Sequence, residues 1–297
     1  MTKTKYEKSL IFVFFLLLLY ALFFFWQNYQ IAKQNEEEVK KEKESIELIR
    51  NKIESLELEA KAISVYDITN DKKLYGKNDT LVLPLASLSK IMTALVALVD
   101  YKDINEIQIS ANALNQVGDN SLYLHEKWDP RELVKFMLLT SSNDVAVALS
   151  ENNPQFLEKM NEKAKRLGLA NTIFYNTTGL DTTLSQAGAY STAEEMNTLA
   201  SFALLAHPDI FPITAFPDIT FISQSGLFHE ALNTNTSITK IPNPVLSKTG
   251  STLLAPGNLT LIFKNKEDEE IVVTVLGSSF LGRFSDMEKI VNVLYNE

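Results

Sequence analysis

The sequence predicts an α/β domain of the α+β kind: a central antiparallel sheet built from both chain ends, packed against helices, with a helical subdomain. A single transmembrane helix precedes it. Three observations carry this expectation. Segments rich in branched residues lie at 62–75 and 258–276, with helical signals between them. Leu10–Trp26 is a run of 17 apolar or aromatic residues. The chain has 297 residues and is 45% hydrophobic, which supports one large core or two small ones.

Lys3, Lys5 and Lys8 precede an uncharged stretch, Ser9–Ala32. A helix of roughly 20 residues crosses a hydrocarbon core. Trp26 and Tyr29 suit the far interface, where amphipathic rings prefer to sit. A cleaved leader needs a shorter apolar core followed by small residues, and 23–29 contains none. The expected layout is a basic cytoplasmic start over 1–8, an uncleaved anchor over 9–32, and an exported remainder.

Residues 33–59 hold six basic and nine acidic side chains and no Gly or Pro. Ile46, Ile49, Ile53, Leu56 and Ala60 follow a 3-4-3-4 spacing, and Val39 falls seven before Ile46. This is a helical stalk, either a solvated spacer or the seam of a weak parallel homodimer. The folded domain is expected over 60–297.

Within that domain, Ala62–Ile68 reads as a strand, Thr69–Lys72 as a turn and Lys73–Tyr75 as the return strand. Asp129-Pro130 and Asn153-Pro154 each read as an N-cap followed by Pro at the first helical position. The second of these helices should stop at Gly168. Ser191 with Glu194, and Ser285 with Glu288, read as capping boxes. Asn258–Phe263 and Ile271–Leu276 form a hairpin, and Met287, Ile290, Val291 and Leu294 stripe a terminal helix. The chain has no cysteine, so it folds without disulfides. A net charge of −9 argues against a nucleic-acid partner. His125, His207 and His229 are scattered without ligand spacing, so no metal and no cofactor is expected.

The chemistry concentrates in three short motifs: Ser87-Leu88-Ser89-Lys90, Ser141-Ser142-Asn143 and Lys248-Thr249-Gly250. Ser87 opens an apolar run, Ile91–Val99, without a polar face, so the helix should be buried on all sides. Lys90 lies one turn from Ser87 on the same face. Burial disfavours its ammonium and lowers its pKa. A neutral amine beside a hydroxyl is a general base for nucleophilic attack. Lys248 offers a point charge for a carboxylate, Thr249 a hydroxyl, and Gly250 a close backbone approach.

In this order the motifs resemble the serine D-Ala-D-Ala carboxypeptidases, the low-molecular-mass penicillin-binding proteins. Leu85–Ala97 (LASLSKIMTALVA), Met160-Asn161, Leu167–Leu169, Gly179-Leu180, Ser191–Ala193 and Asn233–Asn235 extend the resemblance over roughly residues 60–280. It implies a β-lactamase/penicillin-binding-protein-like fold. It implies Ser87 as nucleophile, Lys90 as base and Ser141 as proton relay. Asn143, Lys248, Thr249, Gly250 and Ser251 would bind substrate, with the N–H groups of Ser87 and Ser251 as oxyanion hole. The implied partners are peptidoglycan stem peptides ending in D-Ala-D-Ala, with β-lactams as covalent inhibitors. The implied address is the bacterial cell membrane, with the domain outside. Three departures stand out: Ser142 at the middle of its motif, Pro242 and Pro244 with Ser247 before Lys248, and Pro256-Gly257-Asn258 after Gly250. Two other readings remain: a β-lactamase using Glu194 and Asn197, and a non-catalytic wall-binding or penicillin-sensing module.

Overall fold

The computed structural model describes residues 3–118 and 122–296. In order, the elements are helix α1 (Lys3–Glu54), strands β1 (Ala62–Asp67), β2 (Lys72–Lys77) and β3 (Leu83–Pro84), and helix α2 (Lys90–Asp100). Strands β4 (Ile107–Gln108) and β5 (Lys127–Trp128) precede helices α3 (Pro130–Thr140), α4 (Asn143–Ala148) and α5 (Phe156–Arg166). Strands β6 (Ile173–Phe174) and β7 (Ala189–Ser191) lead to helix α6 (Ala193–Ala206). Strands β8 (Asp218–Ile222), β9 (Phe228–Leu232), β10 (Pro244–Gly250), β11 (Asn258–Lys264) and β12 (Glu270–Leu276) come before helix α7 (Gly282–Tyr295).

The chain divides into two units, 1–51 and 52–297. In the first, α1 exposes the side chains of residues 12–20 and 22–26, and it is long and apolar enough to cross a membrane. In the second, Ile53 is fully buried. The last apolar positions of the stalk stripe therefore include one used for packing within the compact unit.

Five antiparallel strands run in the order β10-β11-β12-β1-β2. Both chain ends supply them, as the two hairpins in the sequence suggest. Alternate residues point to opposite faces. Ala62, Ile262, Val272 and Leu276 join the core of α2, α3, α5 and α6. Ile63, Val65, Val273 and Val275 are also buried and point the other way, where α7 packs on β11 and β12. Both faces are therefore covered. One ladder row crosses the sheet as Lys248, Thr260, Thr274 and Ser64.

Several helix starts differ from the sequence expectation. Asp129 does cap α3, accepting from the backbone N–H groups of Arg131 and Glu132. The helix expected after Asn153-Pro154 begins only at Phe156, because the Asn153 side chain instead accepts from Gln155 N–H in a turn. Thr192, not Ser191, caps α6 through Glu195 N–H, while Ser191 bonds Thr172. The terminal helix starts at Gly282, a turn before Ser285, and Leu281 at its N-cap makes no side-chain cap bond. Val99, expected inside, is 56% exposed because α2 ends there against solvent.

Asp286 on α7 is fully buried and accepts from Glu59 N–H, Ala60 N–H and Ser278 Oγ. It ties the entry of the compact unit to its last helix. Asp286→Ala should cost about 3 kcal/mol, as charge-assisted bonds leave buried donors unmet. Denaturant unfolding of the variant should show an earlier midpoint with an unchanged slope.

Candidate active site

Ser87 sits in a tight turn, Ala86–Ser89, that runs straight into α2. Ala86 adopts a left-handed φ of 51°. For a non-glycine residue this conformation is costly, and such residues cluster at functional sites. Ser87 keeps partial solvent access, while Lys90 is fully buried.

Lys90 Nζ lies 2.9 Å from Ser87 Oγ, 2.7 Å from Asn143 Oδ1 and 2.6 Å from the Thr178 carbonyl oxygen. The amide and carbonyl oxygens can only accept. In the neutral amine they take both N–H bonds and leave the lone pair facing the Ser87 hydroxyl. Burial, reinforced by the charge of Lys248, holds the Lys90 pKa well below the ordinary lysine value. The geometry and the lowered pKa both suit a base acting on Ser87.

Ser141 terminates α3 in a left-handed conformation, with φ of 60°. Ser142 then caps α4, its Oγ accepting from Val145 N–H. The unusual middle residue of the motif thus has a local structural task. Asn143 opens α4, turns its oxygen to Lys90 and donates its amide to the Val117 carbonyl at 2.7 Å.

Strand β10 is the sheet edge and carries Lys248 and Thr249, both buried. Lys248 Nζ donates to Ser141 Oγ at 2.8 Å and to the Thr249 carbonyl at 3.0 Å. Burial, aided by the charge of Arg283, lowers the Lys248 pKa to about 7. Thr249 Oγ1 donates to Thr234 Oγ1 at 2.7 Å. A Cβ on Gly250 would stand 2.6 Å from the Leu85 carbonyl oxygen and 3.2 Å from Ser87 N. Glycine is required because the strand touches the serine turn. Ser251 is exposed just beyond, with its Oγ on the Pro256 carbonyl.

The departures before Lys248 are accommodated. Pro244 begins an edge strand, where its missing N–H costs no ladder bond. Ser247 accepts from the Asn235 amide and donates its N–H to Thr214 Oγ1.

The three motifs therefore come together, with Lys90 and Lys248 close enough to repel. Sequence reasoning assigned no role to three contributors. Thr178 presents its carbonyl from a turn organised by Asn176, whose Oδ1 accepts from Thr178 N–H, Thr178 Oγ1 and Gly179 N–H. Gly179 has φ of 81°, and a Cβ there would strike the Ala86 carbonyl oxygen at 2.1 Å. Thr234 belongs to the Asn233–Asn235 stretch, a visible signal without an evident task. Arg283 on α7 donates from Nη1 to the Gly250 carbonyl at 3.0 Å. It is distant in sequence and carried no signal. Glu194 pairs with Lys73, and Glu195 accepts from Asn171 and Thr172. Neither side chain joins the Ser87 cluster among the described residues, which removes the motivation for a β-lactamase assignment to Glu194.

The D-alanyl-D-alanine carboxypeptidase family matches residues 49–279. The chain belongs to this family. D-alanyl-D-alanine carboxypeptidase DacF of Bacillus subtilis is 30% identical over 250 residues, which is 80% of this chain and 63% of DacF. The chain thus spans less than two thirds of that relative's length. Penicillin-binding protein D2 of Listeria monocytogenes, solved with cefotaxime bound, is 30% identical with a TM-score of 0.69. The match covers 80% of this chain and 98% of that one. A variant of the Streptomyces K15 DD-transpeptidase superposes with a TM-score of 0.73 at 24% identity, covering 82% and 100% of the two chains, and supports the fold.

Asn176→Ala should remove the scaffold of the Thr178 carbonyl and leave Lys90 loosely held. Penicillin acylation is expected to slow at least tenfold with little change in global unfolding. Gly250→Ala, which pushes the strand off the serine turn, should slow it further. Stopped-flow acylation kinetics on both variants provide the check.

Proposed function

We propose that this chain is a membrane-anchored serine D-Ala-D-Ala carboxypeptidase acting on peptidoglycan stem peptides. The observation that carries the proposal is the buried Lys90 amine, 2.9 Å from the Ser87 hydroxyl and held by two obligate acceptors.

In this mechanism Ser87 Oγ attacks the carbonyl carbon of the penultimate D-Ala, and Lys90 takes the hydroxyl proton. The N–H groups of Ser87 and Ser251 receive the developing oxyanion. Protonated Lys248 and the Thr249 hydroxyl hold the terminal carboxylate. A proton passes through Ser141, bonded to Lys248, to the leaving nitrogen. The C–N bond breaks, free D-Ala departs, and the peptide remains as an ester on Ser87. Water then cleaves the ester, releasing the shortened peptide and restoring the serine. A β-lactam would acylate the same oxygen. The layout follows the sequence: a cytoplasmic start over 1–8, a single anchor over 9–32, a stalk over 33–59, and the catalytic domain over 60–297 outside the membrane. A weak homodimer through the stalk is compatible with its apolar stripe. No metal or cofactor enters these steps.

Full-length protein in detergent should take a stable fluorescent-penicillin label and release D-Ala from diacetyl-Lys-D-Ala-D-Ala. Ser87→Ala should abolish both. Lys90→Ala should lower acylation by roughly 10²–10⁴-fold, the usual contribution of a positioned base. Wild-type protein that is folded but neither labels nor releases D-Ala would overturn the proposal.

The pH profile tests the two lysines separately. Acid protonates Lys90, so acylation should fall as pH drops through its lowered pKa. Rising pH strips the proton from Lys248, so carboxylate binding should weaken above about 7 in the free enzyme. The KM for the peptide should rise there before kcat changes. The unfolded chain holds the proton that buried Lys248 gives up, so this site should cost the fold less as pH rises from about 7 towards 10.5.

A further inference from the structure

The oxyanion donor proposed on Ser251 stands one residue past the end of β10. Along an antiparallel edge strand, alternate residues bond to the neighbour and to the open side. Ser247 turns its N–H outward to Thr214 Oγ1, so Gly250, three residues on, faces β11 opposite Asn258. The Gly250 carbonyl also accepts from Arg283 Nη1 at 3.0 Å. In a planar trans peptide the carbonyl and the next N–H point opposite ways. The Ser251 N–H therefore faces the open edge, beside the Ser87 turn that Gly250 touches.

On its other side Ser251 is held by the loop that follows. Ser251 Oγ donates to the Pro256 carbonyl at 2.9 Å, Thr252 N–H to the Ala255 carbonyl at 2.9 Å, and Ala255 N–H to Thr252 Oγ1 at 3.2 Å. The loop is thus braced internally, and Asp181 clasps it from outside. Asp181 Oδ1 accepts from the Thr252 hydroxyl at 2.9 Å, and Oδ2 accepts from Leu254 N–H at 3.1 Å. Asp181 stands three residues after Thr178, whose carbonyl meets Lys90. Asn176 frames the stretch between them. Its Oδ1 accepts from the N–H groups of Thr178 and Gly179, and its amide donates to the Leu180 carbonyl at 2.8 Å. The turn that presents an oxygen to Lys90 therefore ends in the carboxylate that holds the Ser251 loop.

We infer that Asp181 is a positioning residue for the oxyanion hole, a role that rests on the carboxypeptidase reading above. Its carboxylate is bonded to the loop rather than to Ser87 or Lys90. Through Thr252 and Leu254 it fixes the loop, and through the loop it fixes the Gly250–Ser251 peptide against the Ser87 turn. The base and the oxyanion donor are thereby built on one turn. A donor stabilises developing charge most when it is already in place and needs no movement. Without the clasp, Arg283 still grips the Gly250 carbonyl, but the Ser251 N–H loses its fixed direction.

The test uses full-length protein in detergent and a penicillin carrying carbon-13 at its lactam carbonyl. Stopped flow follows acylation, and difference infrared spectroscopy follows the ester carbonyl of the acyl-enzyme, which absorbs at lower wavenumber when hydrogen-bonded. Asp181→Ala should slow acylation at saturating penicillin roughly tenfold, a part of the 10²–10³ lost with a whole donor. The ester band should move to higher wavenumber. The half-saturating concentration should hold, because Lys248 and Thr249 lie within β10 itself. Asp181→Asn keeps an oxygen for Leu254 N–H and an amide for the Thr252 oxygen, so it should restore both rate and band. Thr252→Val removes one bond at a half-buried position and should move both in the same direction by less. It carries the test if Asp181→Ala does not fold. A wild-type rate and band in Asp181→Ala, or in Thr252→Val where the alanine variant unfolds, would overturn the role. Slow acylation with an unmoved band, or no rescue by Asp181→Asn, would overturn it too. These results would leave the carboxypeptidase reading standing, whereas folded wild-type protein that takes no label would defeat that reading and this role together.

Discussion

The buried amine of Lys90 is the constraint on which the rest of the compact unit depends. A lysine with no solvent access is tolerated only when its proton is shed or its N–H groups are met. Here the required oxygens come from three separate segments: the Ser87 turn, the start of α4 and the Thr178 turn. Each segment has its own fastening. Ser142 caps α4, Asn176 ties the Thr178 turn, and Gly179 lets that turn press on Ala86. The site and the helical core therefore form together. A chain that failed to assemble the cluster would bury an unmet amine.

The second constraint is charge. Lys248 is buried near Lys90, and Arg283 lies behind the end of β10. Burial disfavours both lysine ammonium groups most, and Lys248 acting on Lys90 and Arg283 acting on Lys248 add to the cost. The outcome is that both lysine pKa values lie below the ordinary lysine range, as the proposed base and carboxylate-binding roles require. Arg283 is itself stabilised by the rings of Phe280 and Phe284 and by the Gly250 carbonyl. Ala86, next to Ser87, and Ser141 both take the left-handed backbone, a conformation that recurs at functional sites.

Local chemistry made much of this legible. The hairpin of β11 and β12, the capped start of α3 and the burial of most of α2 all follow from residue patterns over fewer than about twenty positions. The motif residues were identifiable because a lysine within an apolar helix, one turn from a serine, has few structural uses. The helix starts at Phe156 and Gly282 were less legible. Asn153 had two local options, cap or turn, and its side chain takes the turn, accepting from Gln155 N–H. Ser285 lay inside a helix whose first turn is set by the buried Asp286 tether rather than by a capping side chain.

The sequence by itself determined the three short motifs, the strands at both ends and the apolar N-terminal helix, because each is encoded by neighbours along the chain. Only the tertiary structure decided which groups meet. Thr178 contributes a main-chain oxygen, which no side-chain motif announces. Arg283 reaches Gly250 across 33 residues, and Thr234 reaches Thr249 through a loop folded back on the sheet edge. Such contacts arise from packing between elements distant in sequence, and packing is settled by the whole core at once.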